Sequence, residues 1–120
     1  MTKTHDYLRH LVDNSNGIDG ALIADLDGLL LESYPNHSDD SLKAHAALCG
    51  IALRRLSDSE NLAARGQINH VAMQGESKAF VAMRIGSHLH LIAEMSGPYA
   101  AAEHNTKLTV LAQRIAGIYS

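Results

Sequence analysis

Tryptophan is absent from this sequence and phenylalanine occurs once, at Phe80, so aromatic residues come to only 4%. A core made without large rings has to be aliphatic and rich in alanine. The single cysteine, Cys49, excludes an internal disulfide and a cysteine-based zinc site, and it fits a reducing compartment. Basic residues never cluster beyond the Arg54-Arg55 pair and the net charge is -3, so the basic stripe that marks nucleic-acid binders is missing. The longest apolar run, Ala46 to Leu53, falls far short of the roughly 20 residues of a membrane span. The first residues, Met1 to Asp6, contain no apolar signal core. These absences predict one cytoplasmic domain over residues 1–120, with no membrane insertion and no nucleic-acid partner.

What is present is a regular alternation of element signals. Leu8, Leu11 and Val12 follow helical spacing in a polar stretch, which predicts a helix over 3–14 that ends at Asn14-Ser15-Asn16-Gly17. Asp27-Gly28 lies between two apolar runs and predicts a two-residue hairpin with both turn positions at positive φ. That register would place Leu22, Ala24 and Leu26 on one face with Leu29 and Leu31, and Ile23 and Leu30 on the other. Ser38-Asp39-Asp40-Ser41 offers caps for a long helix reaching Asp58. On it Leu42, Ala46, Cys49, Leu53 and Leu56 form one apolar stripe, and Ala44, Ala47, Leu48 and Ile51 form a second, nearly opposite one. Strands are predicted over 66–74, 78–85 and 88–95, the last two joined by a two-residue Gly86-Ser87 turn that sets Met83 opposite His90. Leu108, Leu111, Ala112, Ile115 and Ile118 mark a final helix. The expected fold is α+β, a five-stranded, mostly antiparallel sheet between helices in the order α-β-β-α-β-β-β-α.

Chemistry has few footholds. An apolar strand entering Asp25-Leu-Asp27-Gly28 resembles the first motif of haloacid-dehalogenase-type phosphatases, in which one aspartate attacks phosphorus and a second acts as acid and base. No aspartate follows Asp58 to complete a metal site, so a phosphatase or metal-dependent enzyme using Asp25 and Asp27 is the alternative reading, behind a plain turn. Eight histidines include a His88-x-His90 pair on an expected strand, but no third ligand converges on it, and half-buried strand residues account for both. Cys49 sits among apolar neighbours that suppress thiolate formation. No catalytic constellation and no cofactor motif is found, which favours a binding module over an enzyme.

The stretch Gly20-Ala-Leu-Ile-Ala-Asp-Leu-Asp-Gly28 running into Leu29-Leu-Leu-Glu-Ser33, the alanine-rich long helix and the later Leu89-His-Leu-Ile-Ala-Glu94 together resemble the roadblock / dynein light-chain family. The long C-terminal helix is similar to the bacterial and archaeal, MglB-like branch. The resemblance implies a profilin-like sandwich and a non-enzymatic homodimer that regulates or scaffolds a small Ras-like GTPase, stimulation of GTP hydrolysis included. The unpaired second stripe and an edge strand independently favour self-association. The expected dimer contacts are Ala44, Ala47, Leu48 and Ile51 on the helix with Ile68, His70, Val71 and Met73 on the third strand; the expected GTPase contacts are Lys43, Arg54 and Arg55.

Overall fold

The computed structural model describes residues 3–15, 17–35, 40–58, 69–96 and 101–119, and all of their side chains except those of 40–46, 57 and 101–103. The elements are α1 (Lys3–Asp13), β1 (Ile18–Asp25), β2 (Leu30–Tyr34), α2 (Asp40–Asp58), β3 (His70–Gln74), β4 (Lys78–Ile85), β5 (Leu89–Ser96) and α3 (Ala101–Tyr119). Their order is the one expected. The caps at Ser38 and Asp39, the 66–68 start of the third strand and the Gly97-Pro98 turn lie outside the described residues.

The five strands form one sheet in the order β2-β1-β5-β4-β3, and every neighbouring pair is antiparallel. Helices α1 and α3 cover one face. There Leu8, Leu11, Leu108, Leu111, Ala112 and Ile115 pack on Ile23, Val81, Met83, Leu91 and Met95. Helix α2 covers the other, where Cys49 and Leu53 pack on Leu22, Ala24, Ala82 and Ile92. Burying a Leu or Ile side chain contributes about 1.5–3 kcal/mol, so an aliphatic core of this extent suffices without large aromatics. Ile118, expected on the inner stripe of the last helix, is 41% exposed.

Both hairpins differ from the sequence expectation. At the first, only Gly28 takes positive φ (+87°), and no non-glycine residue does so among the described residues. The Gly28 amide donates to the Asp25 carbonyl at 3.0 Å, so the turn is closed by three residues and ends in a left-handed glycine. The register then breaks between Ile23 and Ala24, where Ala24 pairs with Leu30. This bulge moves Leu30 to the α2 face beside Leu22 and Ala24, and leaves Leu29 and Leu31 63% and 41% exposed. At the second hairpin the loop holds Gly86, Ser87 and His88. Met83 therefore faces Leu91, and His90 faces Arg84.

Candidate functional site

Helix α2 carries the features that point outward from the fold. On its inner stripe Cys49 and Leu53 are almost inaccessible. Burial pushes the Cys49 thiol up to about 11, which keeps it protonated and unreactive. The second stripe faces away from the sheet: Leu48 is 60% and Ile51 44% exposed. Leu56, expected inside, is also open at the surface.

Strand β3 is an edge of the sheet, as expected, and carries little cover. Its period-two alternation divides the expected contacts between two faces. Val71 packs toward the α2 cluster, and Met73, opposite Phe80, lies on the same face. His70 pairs with Met83, a residue of the α1/α3 cluster, and so is exposed on the other side of the sheet. An open groove of about 480 Å³ runs between Leu48 and Met73, with Phe80 at its base and the 74–78 turn at its end. Phe80 was not singled out in the sequence; its pairing with Met73 places it there.

The remaining expected residues divide three ways. Ile68 lies outside the described residues, as do the side chains of Lys43 and Ala44. Ala47 is half-buried and turned toward the first hairpin, where a Cβ on Gly28 would come within 3.1 Å of its own Cβ. Arg54 and Arg55 are exposed near the outer stripe, and Arg54 reaches Asp27 at 3.5 Å, a surface ion pair of small energetic weight.

Asp25 and Asp27 hold different partners. One carboxylate oxygen of Asp25 accepts hydrogen bonds from the amides of Asp27 and Leu29, both at 2.9 Å, holding the turn. Asp27 points to solvent and to Arg54. The all-antiparallel sheet also differs from the parallel sheet on which the phosphatase motif works. Among the described residues no three His, Cys, Asp or Glu side chains converge as metal ligands. The expected His88/His90 pair separates, with His88 exposed in the turn and His90 fully buried under α2. Neither ring nitrogen of His90 has a hydrogen-bond partner among the described residues, nor does Nε of Arg84 beside it. Burial holds the imidazole below its ordinary pKa, Arg84 acts in the same direction, and Asp25 opposes them. Helix α2 comes this close because it has Gly50 there, where a Cβ would sit 3.2 Å from His90 Nδ1.

Comparison with solved structures shows the same architecture over nearly the whole chain. Myxococcus xanthus MglB superposes with a TM-score of 0.83 at 13% identity, covering 99% of this chain and 96% of that one. A Roadblock/LC7 domain from Streptomyces avermitilis gives 0.82 at 20% identity, with 96% of each chain covered. Acanthamoeba castellanii profilin II gives 0.64 at 14% identity, covering 98% of this chain and all (100%) of that one, and so bears out the profilin-like layering. A search of curated proteins finds no match to the sequence. No helix among the described residues is long and apolar enough to cross a membrane. The Roadblock/LC7 domain pattern matches residues 5–94, three quarters of the sequence, from within α1 to within β5, and the chain belongs to that family.

Proposed function

We propose that this chain is a single-domain, cytoplasmic, non-enzymatic regulator that forms a homodimer through the outer face of α2 and the β3 edge and binds a small Ras-like GTPase. The observation that carries the self-association is the set of apolar side chains Leu48, Ile51 and Met73, each more than a third exposed. A patch of this kind on a domain of this size marks a protein interface. Leu48 and Ile51 supply the helix contact, while the β3 backbone offers an unpaired ladder edge beside it. The GTPase comes from the family resemblance and from likeness to MglB in fold. Arg54 and Arg55, exposed along the rim of the strip, and Lys43 one turn before Ala47 are its contacts in this reading. None of them has to enter the chemistry, because a regulator can reorganise residues that the GTPase already owns.

The test has two arms. Multi-angle light scattering reads the oligomer; a monomeric mass at micromolar concentration would remove the dimer. Calorimetry with small Ras-like GTPases of the source organism, loaded with GTP analogue or with GDP, reads the partner. Preferential binding of the GTP state is expected, and a hydrolysis assay on the same complex separates stimulation from scaffolding. Failure of every GTPase in both states would leave a scaffold that works without one.

A further inference from the structure

On the far side of the sheet from that strip, α1 and α3 leave between them a groove of about 330 Å³. Each helix supplies one stripe at matching intervals: Tyr7, His10 and Leu11 from α1, and Lys107, Val110, Leu111 and Arg114 from α3. The floor is apolar and belongs to the core, with Leu11 and Leu111 nearly buried; Val110 rises from it 42% exposed. The polar lining consists of donors and cations, and no carboxylate of the described residues lines the groove. The acidic residues of α1 are engaged elsewhere, Asp6 with Arg9 and Asp13 with the Tyr34 hydroxyl. Lys107 and Arg114 have no carboxylate partner among the described residues. Asn14 donates to Nδ1 of His10 at 3.1 Å, which leaves the Nε2 proton as the ring's remaining donor. In a chain of net charge -3 the described lining of this groove is of the opposite sign.

We propose that the groove docks an acidic peptide segment of a partner protein, with an apolar side chain seated against Val110 and carboxylates reaching Lys107 and Arg114. The spacing selects a peptide over a small anion. Seven helical residues separate the two cations, about 10.5 Å along the axis, which one carboxylate or phosphate does not bridge but carboxylates two helical turns apart do. The apolar floor asks for an anchor between them, and charge complementarity supplies specificity and a fast encounter. The site stands on the opposite layer from Leu48, Ile51 and Met73 and does not depend on them.

The test is fluorescence polarisation with short fluorescein-labelled peptides built on the repeat Glu-Glu-Leu-Glu, against the same peptides with lysine for every glutamate. The acidic peptides are expected to bind, more weakly as salt rises, and to lose at least about tenfold in affinity to K107E/R114E, each added tenfold being about 1.4 kcal/mol. Both residues are exposed, so circular dichroism and the solution mass of the variant should match the wild type. Val110→Glu, also at an exposed site, should weaken binding without unfolding the chain. Absence of binding, equal binding of the lysine peptides, or binding unchanged in K107E/R114E would overturn the proposal. So would selective capture by phosphatidylserine vesicles through the same two residues, which would assign the groove to lipid.

Discussion

One oxygen of Asp25 gathers two amide donors, and the geometry depends on an acceptor there more than on a charge. Asp25→Asn keeps an acceptor at the same place and should stay within about 1 kcal/mol of wild type in thermal unfolding, whereas Asp25→Ala leaves both amides without it and should cost about 2 kcal/mol. Gly28→Ala should cost at least as much as the alanine at 25, because it meets two penalties. The left-handed backbone resists a Cβ by about 1–2 kcal/mol, and that Cβ would press on the α2 backbone 3.3 Å away at Ala47. His90 acts through protonation. Its folded-state pKa lies below the ordinary imidazole value, so the unfolded chain takes up a proton first as pH falls. The stability linked to the neutral ring is full above the ordinary value near 6.5 and is lost progressively below it. His90→Leu removes this loss along with two buried, unpartnered nitrogens. Denaturant titrations should find the variant at least as stable as wild type near neutral pH, with its advantage growing toward about pH 5.5. A constant difference across that range would contradict the assignment.

At the scale of elements, α2 invites a comparison between its two sides. Leu53→Ala empties a fully buried position and should cost about 2–5 kcal/mol. Leu48→Asp alters a residue that touches little within its own chain; it should leave the monomer fold and its circular dichroism intact while halving the mass seen by light scattering. Loss of folding in Leu48→Asp would mean that the outer stripe serves the chain's own core. Helices were legible in the sequence because one-sided burial leaves a 3.6-residue period, as with Leu8 and Leu11 or Leu108, Leu111 and Ile115. The register of β4 against β5 was not. Val81, Ala82 and Met83 face Ala93, Ile92 and Leu91, apolar on both faces of a sheet covered on both sides, so a slip by one residue leaves the hydrophobic pattern unchanged. The turn then decided the register, and Gly86-Ser87 is compatible with a loop of two residues or of three. The same slip hid the burial of His90. Leu29 and Leu31 were misplaced for a related reason: a bulge at Ile23/Ala24 has no signature in a run of leucines. Of the expected contact residues, Leu48 and Ile51 emerge on one open face, while His70 is turned to the opposite layer by strand alternation.

For the molecule as a whole, the two proposed partner sites lie on different sides. The rim of the α2 strip carries Arg54 and Arg55, and the reversal Arg54→Glu with Arg55→Glu should weaken GTPase binding, and its dependence on salt, without changing the unfolding midpoint appreciably. The Arg54–Asp27 pair lost in that variant is exposed and contributes at most about 1 kcal/mol. A midpoint that falls sharply would instead place the arginines in the fold's own support.

The sheet ends at two different strands, β2 and β3, and this has a consequence for assembly. Joining β3 to β3 across a two-fold axis is self-complementary and terminates, giving a particle of fixed size. Joining β3 of one copy to β2 of the next would be head-to-tail and would propagate as a fibre. Strand β2 is poorly suited to that role: it is five residues long, enters through the bulge, and is followed directly by Pro35, which has no amide to offer. The exposed Leu29 and Leu31 at this end are therefore insulated by irregular backbone, and substitutions that straighten β2 are the ones to watch for polymerisation.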